Sequence, residues 1–164
     1  MSSDLKNLSN TDLKISKAFT KTKICIAVSE WNSETTFAMR DGAIDFLTKM
    51  GVKEKNISIS YVPGAYELAF GAQLLAENKK CDAIITIGCI IKGETPHFDF
   101  ISDACANGIM LVGLQFNMPV VFGVLTTNDL KQAKERSGGK HGNKGVEAAE
   151  TALKMITLQT ELTK

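Results

Sequence analysis

The sequence predicts an α/β protein, a four-stranded parallel sheet held between helical layers as a three-layer α/β/α sandwich. Three observations predict it. Strand-like and helix-like segments alternate along the 164 residues, the order that builds parallel sheets through crossover helices. Residues 82–90 (DAIITIGCI) are apolar almost throughout, as expected of a strand covered on both faces. Glycines and loops gather after the strands, where open α/β sheets hold their ligands.

Residues 23–29 (KICIAVS) read as the first buried strand, short and partly β-branched. Asn32 and Ser33 offer N-caps for a helix to about Met50; Phe37, Ala43, Ile44, Leu47 and Met50 recur at helical spacing, and Gly51 suits the stop. Ile57–Val62 is the second strand, ended by Pro63-Gly64, and residues 65–79 form a helix with Leu68, Ala72 and Leu75 on one face. After the strand at 82–90, a helix from about Pro96 to Asn117 carries Phe98, Ile101, Cys105, Ile109, Val112 and Phe116 as its buried stripe. Residues 119–125 (PVVFGVL) are the last strand. A short helix follows Asp129 and stops near Gly138-Gly139, and a final helix over 145–162 turns Val146, Ala149, Leu153 and Ile156 inward.

Composition narrows the function classes. With 44% apolar and 23% charged residues, the chain is globular and long enough to bury one core. A net charge of +1 gives no basic surplus for nucleic acid or a membrane surface. No apolar stretch approaches the roughly 20 residues of a membrane helix. The first 22 residues are polar, with no secretory apolar region, so the chain divides into a polar arm over 1–22 and a single domain over 23–164. Cys25, Cys81, Cys89 and Cys105 have no C-x-x-C spacing and no neighbouring histidine. They read as reduced thiols of a cytoplasmic protein rather than zinc ligands.

Local chemistry points first to Gly93-Glu94-Thr95-Pro96-His97-Phe98, which joins a buried strand to a helix. Thr95 is a good N-cap and Pro96 suits the first helical position. The free N–H groups of the helix start favour an anion, and Gly93 allows close ligand approach. His97 in the first turn is suited to proton transfer. A well-capped helix with an incidental histidine accounts for the same pattern. The turn at Val62-Pro63-Gly64-Ala65-Tyr66-Glu67 repeats this logic, with ordinary turn chemistry as the plain alternative. Arg136 in the last turn of the short helix either complements the helix dipole or clamps a phosphate. Lys140, His141 and Lys144 follow in a glycine-rich loop over 137–145 that is either functional or a mobile basic loop. Trp31, directly after the first strand, can stack on a flat ring or cap the core.

Taken in order, Trp31-Asn32, VPGAYE at 62–67, IGCIIKGETPHFDF at 87–100, PVVFGVLTT at 119–127 and ERSGGKHGNKG at 135–145 closely resemble the 6,7-dimethyl-8-ribityllumazine synthase family. The likeness runs from about Lys23 to the C-terminus, and the GETPHF and GNKG segments together are specific to that family. It implies a flavodoxin-like sandwich. It also implies condensation of 5-amino-6-(D-ribitylamino)uracil with 3,4-dihydroxy-2-butanone 4-phosphate, giving 6,7-dimethyl-8-ribityllumazine, phosphate and water with no metal or organic cofactor.

Roles follow from the same resemblance. Trp31 matches the aromatic, often Phe, that stacks on the pyrimidine. Ala65, Tyr66 and Glu67 match the turn for the ribityl chain. Ile90, Ile91 and Lys92 match the strand end that reads the pyrimidine edge, with Lys92 where many relatives have Arg. Glu94 and Thr95 match the phosphate turn, and His97 the proton-transfer residue. Phe122, Arg136 and Lys144 resemble the neighbouring subunit's contribution, Arg136 facing the phosphate. The family assembles from pentamers, as decamers or as hollow shells of sixty subunits, with riboflavin synthase as pathway partner. The short 137–145 loop and the absence of proline before Pro63 suit a large shell. A shell-forming or ligand-binding relative without the chemistry is the alternative. A flavodoxin-type electron carrier is disfavoured, since Ser29-Glu30-Trp31-Asn32 is no Ser/Thr-rich phosphate loop.

Overall fold

A computed structural model describes residues 17–163. Residues 1–16 of the expected arm lie outside the described residues. Lys17–Lys21 form a 3₁₀ turn that carries Phe19 into the core, where it is 7% exposed.

Four strands build the main sheet: β1 (Ile24–Ser29), β2 (Ile57–Val62), β3 (Ala83–Ile91) and β4 (Val120–Thr127). All pairings are parallel, in the order β2-β1-β3-β4, as in flavodoxin-like sheets. The central strands β1 and β3 are apolar on both faces because helices cover both faces. The edge strand β2 is less buried and alternates with Ser.

Helices α1 (Ser33–Lys49) and α5 (Lys144–Leu162) pack on one face. Met39, Ala43, Leu47, Ala149 and Leu153 there meet Ile24, Ile26, Val28, Ile85 and Ile87. Helices α2 (Leu68–Asn78) and α3 (His97–Phe116) cover the other, where Leu68, Ala72, Cys105 and Ile109 meet Cys25, Ala27, Ile84 and Val124. The three-layer sandwich is therefore the structure, and the helical faces are those expected from the spacing of apolar residues.

Three local expectations are corrected. Pro96, not Thr95, is the N-cap of α3, and no side chain caps that end. Proline's fixed φ of −66° begins the turn one residue later, and the N–H groups of Asp99 and Phe100 close it onto the Pro96 carbonyl. Residues 65–67 form a turn ahead of α2 and not its first turn. The 137–145 segment is no mobile loop. After α4 (Leu130–Arg136) it folds as an antiparallel hairpin of β5 (Ser137–Gly139) and β6 (Gly142–Asn143), and Lys144 opens α5. Gly138 and Gly142 have φ of +128° and +87°, which only glycine adopts readily. Asn143 fastens the hairpin by donating to the Ala38 carbonyl of α1 at 2.9 Å and accepting from the Gly145 N–H at 2.8 Å.

Candidate active site

The carboxyl ends of the four strands form one stitched rim. The N–H groups of Glu30 and Trp31 donate to the carbonyls of Val62 and Pro63 at 2.9 and 3.1 Å, tying β1 to β2. Asn32 bridges β1 to β3, its Nδ2 donating to the Cys89 carbonyl at 2.9 Å. The Lys92 N–H donates to the Thr127 carbonyl at 2.8 Å, tying β3 to β4. Asn32 was expected to cap α1 with its side chain. It stands at the N-cap but makes no such bond, because φ +59° places it in the left-handed region and its amide reaches across the rim.

This rim brings together Trp31, Ala65, Tyr66, Glu67, Ile90, Ile91 and Lys92. The Trp31 ring is 74% exposed, so it does not cap the core. It borders Gly64 together with the Glu67 carboxylate: a Cβ on Gly64 would stand 3.0 Å from Glu67 Oε2 and 3.8 Å from the indole. Ala65 is buried, and its carbonyl accepts the Cys105 S–H at 3.1 Å, which fixes the turn against α3. Burial pushes the Cys105 thiol up to about 11, and the Cys89 thiol likewise. Ile90 and Ile91 are half-buried where β3 leaves the core, while Tyr66, Glu67 and Lys92 are exposed.

Glu94 and Thr95 lie in an exposed bend beyond β3, and His97 is the first residue of α3. With no capping side chain, the N–H groups of this helix start stay open to an anion. A Cβ on Gly93 would meet nothing within 4 Å, so the backbone there is open to a ligand.

Phe122, Arg136 and Lys144 lie elsewhere. Phe122 pairs with Thr86, while Thr126 pairs with Ile90; four residues of strand separate Phe122 from the rim, about 13 Å at a typical rise. Phe122 and Lys144 line a groove of about 750 Å³ between α3 and α5, along the free edge of β4. Among the described residues, none of the rim set lines it. Arg136 is held beside it: Nη1 donates to the His141 carbonyl at 2.5 Å and Nη2 to Glu147 Oε1 at 2.7 Å. The other oxygen of Glu147 meets Lys144 Nζ at 3.3 Å. Glu147 is the residue that sequence reasoning missed. Its one signal was the i,i+3 spacing from Lys144 at a helix start. One chain thus presents two separate clusters, an open rim with an aromatic ring and a histidine, and a cationic pair braced by a carboxylate. Among the described residues, no three His, Cys, Asp or Glu side chains converge as a metal site, and no helix is long and apolar enough to cross a membrane.

The fold defines a flavodoxin-like α/β protein, with its turns and helix starts gathered at the carboxyl ends of the strands. The family model described as 6,7-dimethyl-8-ribityllumazine synthase matches residues 21–160. A 6,7-dimethyl-8-ribityllumazine synthase of Cytophaga hutchinsonii is 52% identical over 156 residues, covering 95% of this chain and 98% of the relative. Those of Bacteroides fragilis and Parabacteroides distasonis are 49% and 44% identical, over 87% and 95% of this chain and 99% and 98% of theirs. The chain belongs to the 6,7-dimethyl-8-ribityllumazine synthase family and is an enzyme of that type.

Proposed function

We propose that the chain condenses 5-amino-6-(D-ribitylamino)uracil with 3,4-dihydroxy-2-butanone 4-phosphate to give 6,7-dimethyl-8-ribityllumazine, phosphate and water, in riboflavin biosynthesis. The observation that carries the reading is the stitched rim. In a member of this family, it gathers an exposed indole, the Ala65–Glu67 turn and an uncapped helix start bearing His97.

Trp31 stacks on the pyrimidine. The backbone of Ala65 and Tyr66 and the Glu67 carboxylate take the ribityl hydroxyls, and Ile90, Ile91 and Lys92 read the pyrimidine edge. The phosphate lies at the start of α3 beside Glu94 and Thr95, where the helix dipole and free N–H groups favour an anion. Arg136 completes its charge balance, and Phe122 and Lys144 close over the pyrimidine. These three belong to the neighbouring subunit. Phe122 lies about 13 Å along the strand from the rim of its own chain, so one chain's groove residues serve the next chain's rim. Exposed apolar side chains on α3 and α5, including Phe100, Leu114 and Leu162 at 73%, 72% and 76%, supply surface for such contacts. A ring of five subunits joins each rim to a neighbour's groove.

The chemistry uses groups the substrates already carry. The pyrimidine's primary amine attacks the ketone, and one water leaves as the imine forms. Proton loss next to the imine expels phosphate. The ribitylamino nitrogen then closes the second ring with loss of another water. Holding two substrates in register is the largest contribution, up to about 7–11 kcal/mol in favourable cases. His97 relays the protons, worth roughly 10²–10⁴-fold. No cofactor is required, since amine and ketone react with each other directly. The chain works in the cytoplasm, in keeping with four cysteines that are free thiols, and riboflavin synthase is its pathway partner.

Incubating the purified protein with both substrates tests the reading. Lumazine absorbance and inorganic phosphate are expected to rise in equal amounts. Absence of both returns the chain to a ligand-binding or shell-forming role on this fold.

A further inference from the structure

Two thiols meet at the opposite end of the sheet from the rim. Cys25 is the second residue of β1, and its side chain turns toward the α2 and α3 layer. Cys81 immediately precedes Asp82, whose N–H donates to the Lys23 carbonyl at 2.8 Å, while the Lys23 N–H donates to the Asp82 carboxylate at 2.8 Å. These two bonds extend the β1–β3 pairing backward and deliver Cys81 to the start of β1. There Cys81 packs against the same side-chain cluster that buries Cys25, and the two thiols act on each other's titration. The Ser58 hydroxyl, across the β1–β2 ladder, lies 3.1 Å from the Cys25 sulfur. Cys25 is 2% exposed and Cys81 half-buried, so the pair has one side open to small molecules.

We propose that Cys25 and Cys81 are a thiol-oxidation site that closes to a reversible disulfide when a small hydroperoxide reaches it. One thiolate sulfur attacks the peroxide oxygen: the O–O bond breaks, an S–O bond forms, and the alcohol or water leaves with a proton. The second sulfur then attacks the first: the S–O bond breaks, the S–S bond forms, and water leaves. Both sulfurs are oxidised and the peroxide takes up the two electrons, so no further reactant is needed.

The surroundings favour the first step, which needs a thiolate. The Cys81 thiol lowers the Cys25 thiol to about 6 against the opposing effect of burial, helped by Ser58 and the Lys79 charge. Cys81 is raised, first by Cys25 and then by burial. The other two thiols differ. Cys105 donates to the Ala65 carbonyl, and burial raises both Cys89 and Cys105. The disulfide would tie β1 to the segment entering β3 without touching the rim.

The experiment treats the native full-length protein with hydrogen peroxide, alkylates free thiols with iodoacetamide and digests with trypsin without reduction. The expected product is the peptide 24–40 joined to the peptide 81–92, separating after dithiothreitol. Because Cys89 shares the second peptide, Cys89→Ser and Cys81→Ser are treated in parallel. The link is expected to persist in the first and vanish in the second. A link that survives Cys81→Ser, a link to Cys105, or Cys25 and Cys81 both recovered alkylated from oxidised wild-type protein would overturn the proposal. The wild-type digest decides even if a variant fails to fold.

Discussion

Arg136 and Glu147, eleven residues apart in sequence, meet at 2.7 Å, and the second Glu147 oxygen holds Lys144 at 3.3 Å. One carboxylate therefore aims two cations. Glu147→Ala is expected to lower kcat/KM for the phosphorylated ketone about ten- to a hundredfold, in line with a charge-assisted bond of about 1.5–3 kcal/mol. The loss should be larger in KM for that substrate, which Arg136 faces, than in KM for the pyrimidine, which Lys144 faces, because the Arg136 bond is the shorter of the two; Glu147→Gln should be intermediate. Steady-state rates with each substrate varied in turn check this, and equal losses for both substrates would sink it.

His97→Asn should lower kcat by roughly 10²–10⁴-fold while leaving both KM values within a few-fold, as for loss of a proton relay. Single-turnover absorbance traces are the measurement. A change confined to KM would make His97 a binding residue instead.

If rim and groove come from adjacent chains, two inactive variants complement each other. His97→Asn carries an intact groove cluster and Arg136→Ala an intact rim. Unfolded together in equal amounts and refolded as mixed oligomers, they should regain about one site in four. No gain over the separately refolded variants would place both halves in one chain.

Asn32 is held in the left-handed region by its bond to the Cys89 carbonyl. Asn32→Ala loses that bond and takes on backbone strain, a cost of about 2–3 kcal/mol. Asn32→Gly keeps the backbone comfortable and should cost only about 1 kcal/mol. Urea midpoints of the two variants decide, and equal costs would show that the strain plays no part.

The buried thiols Cys89 and Cys105 are pushed from 9.0 up to about 11. Between those pH values the unfolded chain has released protons that the folded chain keeps. Stability from these groups is therefore full below pH 9 and declines as pH rises toward about 11, on the order of 2 kcal/mol per thiol. Cys89→Ala should flatten the decline in denaturation midpoint over that range. An unchanged slope would mean that other groups cause it.

The fold was legible because its signal is periodic. Ile84, Ile85 and Ile87 stand in a short apolar run that reads as a strand buried on both faces, and Leu68, Ala72 and Leu75 recur at the spacing of one helix face. The rim residues were legible as strand ends followed by turns. The Pro96 cap was misread because the fixed proline φ moved the helix start by one residue. The 137–145 hairpin was hidden because its glycines act through backbone angles, not through a pattern of side chains. Glu147 was hidden for a different reason: its partner Arg136 becomes its neighbour only once that hairpin has turned the chain back. The two-cluster layout is a property of the fold; the family resemblance implies it, by giving Phe122, Arg136 and Lys144 to a neighbouring subunit, while the local motifs do not.

The bonds between Glu30 and Val62, Trp31 and Pro63, Asn32 and Cys89, and Lys92 and Thr127 run through main-chain atoms and a single amide. Of the side chains above them, Trp31, Tyr66 and Lys92 are exposed and carry none of these links. Each can be exchanged without disturbing where its neighbours stand. The rim is therefore a mounting plate, and its side chains can be changed one residue at a time at little risk to folding.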